Sequence, residues 1–225
     1  MAFVIYRERR HRVYSEWLDL SHFTENYKIK DIREIRGLKD ITSLKYLYLD
    51  HNKITQIYGL KELTNLRELY LGSNSICEIS GLNSLSKLDF LDLSCNQITE
   101  IKGLNNLINL RELWLQENNI SKIENLESLT NLIKLKLGQN KISKITGLEN
   151  LTSLEYLDLS DNQITNIASL EKLTNLECVD FSNNQISEIN SIDLTPNLKI
   201  LILNGNIINN IKELEDLKYK IEIYI

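Results

Sequence analysis

The residues whose types could do chemistry in this chain are two aspartates and two possible metal ligands. Asp158 and Asp180 lie 22 residues apart, and carboxylates brought close together can raise the pKa of one of them, as in a catalytic pair. No histidine, serine or cysteine nucleophile with a base accompanies them, so a weak cation site or a hook for a partner's arginine is the better interpretation. His51 and Cys95 would be about 10 Å apart across two strands of a sheet, too far to share a metal ion. We therefore predict a protein that is not an enzyme and that carries no metal and no other cofactor.

Three cysteines and the overall charge bear on the compartment and on the partner. Cys77, Cys95 and Cys178 form an odd set without the spacing of zinc ligands, which favours reduced thiols in a reducing compartment. The first residues lack the apolar core of a secretory signal, and no apolar run approaches the roughly 20 residues of a membrane span. The net charge of −5 argues against a nucleic-acid partner. A cytoplasmic protein without a membrane partner is expected.

The elements that position these residues follow from an internal repeat. One asparagine recurs every 22 residues without insertion or deletion, at Asn52, Asn74, Asn96, Asn118, Asn140, Asn162, Asn184 and Asn206. Isoleucine fills two further columns, from Ile54 to Ile208 and from Ile57 to Ile211, and Ile32 and Ile35 extend them one repeat backwards. A fixed period of this length is typical of a solenoid, in which stacked copies share one core.

Each part of the repeat predicts a local structure. A Leu-x-Leu pair such as Leu47 and Leu49 alternates with period two, which predicts a short strand with one buried face. Stacked copies would form a parallel sheet on the concave side. The asparagine side chain would turn inward and satisfy buried backbone groups. Apolar residues three apart, such as Ile54 and Ile57, predict 3₁₀-like turns on the convex side.

The pattern L-x-x-L-x-L-x-x-N-x-I-x-x-I-x-G-L resembles the leucine-rich repeat subclass typified by the protein phosphatase 1 regulatory subunit, and the repeats of bacterial internalins are similar. The resemblance covers about residues 29–225. It implies the α/β class, as a right-handed solenoid, and a module that binds protein partners on the concave face. One alternative is that this chain is itself the regulatory subunit of a phosphatase.

The ends of the chain are predicted to differ from the repeats. Residues 1–28 are assigned to an N-terminal cap, and residues 29–225 to a partial repeat, eight 22-residue repeats and a final strand. Within Arg7–Phe23 the apolar residues Val13, Trp17 and Leu20 follow i, i+4, i+7 spacing, which predicts an amphipathic helix that covers the first repeat. The final strand, Ile221–Ile225, would leave an apolar edge, so self-association and a structural, self-assembling role form a third alternative.

Candidate binding residues occupy the two variable positions of each strand. One precedes the first leucine of the Leu-x-Leu pair, and the other lies between its two leucines. These positions are rich in aromatic residues, which mark partner-binding surfaces when they are exposed together; β-propensity, with neighbouring rings covering each other, is the alternative explanation. Acids also outnumber bases there, although some, such as Glu112 with Lys134, could pair locally. We predict a protein partner with a basic or mixed surface. The predicted partner-binding residues are Tyr46, Tyr48, Glu68, Tyr70, Phe90, Asp92, Glu112, Trp114, Tyr156, Asp158 and Asp180.

Overall fold

The fold is a coil of repeats whose strands form one parallel sheet of ten strands, in sequence order from β3 to β12. The computed structural model describes residues 2–21, 23–167, 170–189, 195–209 and 221–225. The strands are β1 Phe3–Tyr6, β2 Arg9–Arg12, β3 Trp17–Asp19, β4 Tyr46–Tyr48, β5 Glu68–Tyr70, β6 Phe90–Asp92, β7 Glu112–Trp114, β8 Lys134–Lys136, β9 Tyr156–Asp158, β10 Cys178–Asp180, β11 Ile200–Ile202 and β12 Glu222–Tyr224. Three 3₁₀ helices, Glu25–Tyr27, Ile32–Glu34 and Leu38–Asp40, lie before β4.

The leucines of the repeat form the core, as predicted. The central residue of each strand from β4 to β11 is buried, and the residues on either side are only half-buried. Neighbouring strands pair in the register of the repeat, so that Leu69 lies opposite Leu91 and Leu91 opposite Leu113. A shift of one residue would turn these leucines to the solvent face, and the hydrophobic pattern therefore fixes the register.

The convex side consists of tight turns, which confirms the prediction of 3₁₀-like geometry. In the second coil the Leu63 N–H donates to the Leu60 carbonyl and the Leu66 N–H to the Leu63 carbonyl, each at 3.0 Å. Bonds from residue i+3 to residue i define a 3₁₀ turn. Gly81, with φ of +74°, lies so close to the preceding coil that a β-carbon would come within 1.8 Å of the Ile57 carbonyl oxygen. Only glycine permits this approach.

The repeated asparagines form a continuous hydrogen-bonded ladder between coils. The Asn118 Nδ2 donates to the Leu115 carbonyl in its own coil and to the Leu93 carbonyl in the preceding coil, both at 3.0 Å. Its Oδ1 accepts from the Ile98 N–H at 2.9 Å. The same type of bonding recurs from Asn52 to Asn206. The predicted inward column of asparagines is confirmed.

The predicted N-terminal helix is wrong. β1 and β2 form an antiparallel hairpin, and β3 pairs in parallel with β4 as the first strand of the main sheet. The hairpin is tied to the first coil by two backbone hydrogen bonds between Ile5 and Arg36, of 2.9 and 2.8 Å. The cap is therefore a hairpin, and Trp17–Asp19 of the segment assigned to it extends the sheet as β3.

Period-two alternation explains why this segment is extended. Val4 and Tyr6 alternate on the hairpin and are buried, as are Leu18 and Leu20 at and just after β3. The Leu20 N–H donates to the Tyr48 carbonyl at 2.9 Å, as the Leu49 N–H donates to the Tyr70 carbonyl. A helix would have buried Trp17, which instead has 41% of its surface exposed. A strand is favoured over a helix here because it buries both leucines in the core and pairs the backbone with β4.

The C-terminal strand is present where it was predicted. Within the described residues β12 pairs with β11 alone. Ile221 and Ile223 pack against the core, whereas Tyr224 and Ile225 are about half exposed. Ile211 of the second isoleucine column falls outside the described residues. Self-association through this edge stays a prediction.

Candidate interaction surface

All eleven predicted partner-binding residues lie on one face of the sheet. They occupy two columns along strands β4 to β7, β9 and β10, on either side of the buried central residue of each strand. Every one of them is half-buried, because the strand backbone and the neighbouring columns cover part of each side chain. The parallel register places equivalent side chains of neighbouring coils next to one another, and their part in binding stays a prediction.

Six aromatic rings contact one another in an unbroken series across the first coils, which we call the aromatic ladder: Tyr14, Trp17, Tyr48, Tyr70, Phe90 and Trp114. The centroid distances are 4.6 Å for Tyr48 and Tyr70, 4.8 Å for Tyr70 and Phe90, and 5.0 Å for Phe90 and Trp114. Trp17 meets Tyr48 edge-on at 6.5 Å and stacks on Tyr14 at 4.6 Å. The rings thus cover part of one another's surface, and the Phe90–Trp114 contact, like that of Trp17 with Tyr48, is edge-on. A partner can contact the ring surface that remains exposed.

Lysines end the ladder at its C-terminal side. The Lys136 Nζ lies 4.1 Å from the centroid of Trp114, a cation–π contact. The Trp114 Nε1 is buried and has no acceptor within the described residues. On the same strand as Lys136, the Lys134 Nζ lies 5.9 Å from the ring of Tyr156 and 3.7 Å from the Glu112 carboxylate. The expected local pairing of Glu112 with Lys134 is confirmed.

The aspartates of the face stabilise local turns, a structural role that the sequence analysis missed. The Asp158 Oδ1 accepts from the Ser160 N–H at 3.0 Å, and the Asp180 Oδ1 accepts from the Ser182 N–H at 2.8 Å. Asp19 and Asp92 make the same bond to a serine two residues later. The recurring Asp-x-Ser sequence was the available signal for this turn. Asp158 and Asp180 do lie opposite each other on adjacent strands, but one oxygen of each is committed to its own turn.

Local ion pairs neutralise part of the acidic face. Arg67 contacts Asp89 at 2.8 Å and Lys199 contacts Glu177 at 2.7 Å, in addition to the Lys134 pair. Within the part of the chain that the structure describes, no basic side chain lies within 4 Å of Glu155, Asp158 or Asp180. The coils that carry β9 and β10 therefore hold negative charge that no described cation neutralises.

The pKa shifts on this face follow from burial and from that negative charge. Burial, followed by the charge of Asp158, raises the pKa of Tyr156 to about 12. Burial and then the charges of Asp180 and Asp158 raise the pKa of the Cys178 thiol. Burial and a hydrogen bond to Glu68 raise the pKa of Tyr70. These groups stay protonated at neutral pH, so Cys178 is not an activated nucleophile.

An open pocket lies at the N-terminal end of the face. Its volume is about 480 Å³, and its lining residues are Trp17, Asp19, Tyr46, Tyr48 and Glu68. Trp17 and Asp19 were not among the predicted site residues, because Trp17 was assigned to a helix. The sequence from Trp17 to Ser21, Trp-Leu-Asp-Leu-Ser, matches the Tyr-Leu-Asp-Leu-Ser of β9, but it lies outside the 22-residue register.

The described ranges contain neither a candidate metal site nor a helix that could span a membrane. There, no cluster of three or more histidine, cysteine, aspartate or glutamate side chains has a geometry that could hold a metal ion. The same ranges contain no helix with the length and apolar character needed to cross a membrane. The three cysteines are not joined by disulfides.

Comparisons with known proteins agree with the repeat structure. Models for leucine-rich repeats match residues 16–76 and, as three pairs of repeats, residues 64–107, 108–150 and 152–194. No curated protein sequence matches the chain.

Solved structures of similar proteins include two from Listeria monocytogenes. Internalin F is 31% identical with a TM-score of 0.79, over 93% of this chain and 60% of that one. Internalin C2 is 34% identical with a TM-score of 0.70, over 85% of this chain and 78% of that one. TLR13, in a complex with the single-stranded RNA ssRNA13, is 26% identical with a TM-score of 0.69, over 76% of this chain and 27% of that one. The chain therefore spans less than two thirds of the internalin F structure.

Leucine-rich repeats are generally interaction scaffolds without enzymatic activity of their own. The repeat pattern, the parallel sheet, the asparagine ladder and the matched family models lead to the same assignment. The chain belongs to the leucine-rich repeat family and has internalin-like structural neighbours.

Proposed function

We propose that this chain is a non-catalytic module that binds a protein partner on the concave face of its sheet. The observation that carries the proposal is the aromatic ladder, a run of half-exposed rings with no role in the core behind the sheet. Partly exposed tyrosine and tryptophan supply much of the binding energy at protein interfaces, because they bury a large area at a small entropic cost.

The charge of the face selects the kind of partner. Acidic side chains without a local cation lie on β9 and β10, beyond the end of the ladder. They favour a partner with a basic or mixed surface and repel a phosphate backbone. The RNA complex of TLR13 shows that a related fold can accommodate RNA, but the acidic side chains of this face favour a protein. A non-enzymatic role and a cytoplasmic location belong to the same proposal. The unpaired Cys77, Cys95 and Cys178 fit a reducing compartment.

Site-specific photo-crosslinking tests the proposal directly. A benzoylphenylalanine placed at Phe90 of the ladder should capture a partner from a native lysate. The same group at Lys122, which is exposed and lies outside the strands of the concave face, serves as the matched control and should capture much less. Equal capture from both positions, or capture from position 122 alone, would contradict binding on the concave face.

Removing charge from β9 and β10 should slow association more than it speeds dissociation. In the variant Asp158→Asn with Asp180→Asn, each amide keeps the Oδ1 acceptor that bonds to Ser160 or Ser182, so the fold should be retained. We expect the association rate to fall severalfold at low salt and its dependence on salt to flatten, because exposed charges act mainly through steering. Stopped-flow measurements at several salt concentrations check this. An unchanged salt dependence would show that these carboxylates do not face the partner.

The alternative of a specific phosphatase regulatory subunit stays a prediction, since none of the contacts described on this face is particular to a phosphatase. Self-association has one observation in its favour, the partly exposed Ile223, Tyr224 and Ile225 at and beside the edge strand β12.

If this edge assembles copies of the 225-residue chain, Ile223→Lys should increase the monomer fraction, because a charged side chain on an edge strand opposes pairing with a second strand. Light scattering over a range of concentrations measures the mass. A wild-type chain that remains monomeric at high concentration would remove self-assembly as a function.

A further inference from the structure

The pocket between β3, β4 and β5 is lined by aromatic rings that face solvent. Some neighbouring rings receive a cation from this chain: Arg12 lies 4.9 Å from the centroid of Tyr14, and Lys136 lies 4.1 Å from that of Trp114. Among the described residues no arginine or lysine lies over Trp17, Tyr46 or Tyr48. These three rings line a pocket open to solvent, of about 480 Å³.

Two carboxylates complete the pocket and keep acceptor capacity. The Asp19 Oδ1 accepts from the Ser21 N–H at 2.9 Å, and the Glu68 Oε2 accepts from the Tyr70 hydroxyl at 2.8 Å. The described part of the chain places no cation within 4 Å of either group. Burial and then the charges of Glu68 and Asp19 raise the pKa of Tyr48, so both carboxylates act on the same wall of the pocket. The pocket thus combines aromatic rings with negative charge that no cation of the described chain neutralises.

We propose that this pocket receives the guanidinium group of an arginine side chain from the protein partner. A guanidinium is planar and stacks on aromatic rings, and its five N–H donors can serve two carboxylates at once. A lysine ammonium is a compact, strongly hydrated charge that gains less from stacked rings. The inference rests on the proposed function, and it adds the chemistry of one anchor residue.

Tryptophan fluorescence can report on this pocket alone. The chain contains two tryptophans, so the background variant Trp114→Phe leaves Trp17, in the pocket wall, as the single reporter. N-acetyl-arginine amide is titrated into this variant, and N-acetyl-citrulline amide, which has nearly the same shape without the charge, serves as the control ligand. We expect saturable quenching by the arginine compound in the millimolar range and none by the citrulline compound. Equal quenching by both would overturn the proposal, because the rings would then bind any planar group.

Conservative variants test the two carboxylates. Asp19→Asn with Glu68→Gln keeps the acceptor oxygens that bond to Ser21 and Tyr70, and the fold should persist, as circular dichroism can verify. Each exposed ion pair contributes about 0.5 kcal/mol. Loss of two such pairs should therefore weaken binding of the arginine compound about fivefold. Glu127→Gln with Glu171→Gln removes the same charge from exposed positions several coils away and outside the strands, and should leave the titration unchanged. Equal weakening by both double variants would indicate a general field effect and overturn the proposal.

The outcome for the pocket is separable from the outcome for the face. If a partner captured through Phe90 still binds the Asp19→Asn and Glu68→Gln variant with unchanged affinity, the concave face binds a partner but the arginine anchor is wrong. If Trp17 responds to the arginine compound but no crosslink forms from Phe90, the pocket binds a guanidinium as proposed, and the proposal of partner binding on the concave face is wrong.

Discussion

The variant Asn118→Ala is expected to lower the free energy of unfolding by about 1–3 kcal/mol, because it leaves buried backbone groups of two coils without partners. The Asn118 side chain serves the carbonyls of Leu93 and Leu115 and the N–H of Ile98, and it is buried. Urea denaturation followed by circular dichroism gives the change. Since the coils share one core, the unfolding transition should move as a whole.

A second asparagine provides the matched control. Asn131 is exposed, and its Nδ2 donates to the Ile108 carbonyl at 2.8 Å. Water can take over that carbonyl, so Asn131→Ala should change the free energy of unfolding by only about 0.5 kcal/mol. If Asn118→Ala costs no more than Asn131→Ala, the ladder does not have the energetic role that its geometry indicates.

Truncating the ladder should lower the affinity for the partner by about 30-fold or more, equivalent to about 2 kcal/mol. The change is Trp114→Ala, alone and combined with Tyr70→Ala. Trp114 lies at the end of the ladder against Phe90 and Lys136, and such partly covered aromatics are where interface energy concentrates. Calorimetric titration of the partner identified by crosslinking measures the loss. Binding that survives both changes would contradict the concave-face proposal.

Folding and binding effects of these changes can be separated. The Trp114→Ala variant loses an edge-to-face contact with Phe90 and a cation–π contact with Lys136, which together contribute about 1–2 kcal/mol of stability. Its indole N–H has no acceptor in the described structure, so no hydrogen bond is lost. Thermal melting should show a modest shift with a cooperative transition. The convex-side variants Lys122→Ala and Glu127→Ala, both at exposed positions, should change neither stability nor binding.

The central coils were predictable from the sequence because local pattern and tertiary packing agree there. Leu69 and Leu71, Ile76 and Ile79 each occupy the buried place that their spacing indicates. The same register placed the eleven candidate residues on one face, since strands of three residues with a buried centre leave no other orientation. The pairing of Glu112 with Lys134 followed from their position on adjacent strands.

The first coil was not predictable from periodicity alone. Val13, Trp17 and Leu20 fit a helical spacing, while Leu18 and Leu20 fit a strand, and a short segment cannot decide between the two. The spacing from Leu20 to Leu49 is seven residues longer than the repeat, because the 3₁₀ helix Glu25–Tyr27 and its flanks lie in between. A search at 22 residues therefore misses β3, and with it Trp17 and Asp19 of the arginine pocket.

By itself the sequence determined the coil, its register, its buried columns and the composition of its concave face, because each depends on a pattern repeated in every turn. Only the tertiary structure decided how the first coil is closed and which rings and charges meet. Pairing of β3 with β4 brings Trp17 and Asp19 beside Tyr48 and Glu68, residues about 30 to 50 positions apart. Backbone pairing and core burial at the end of a solenoid are satisfied only by the neighbouring coil, so these contacts follow from stacking and not from local spacing.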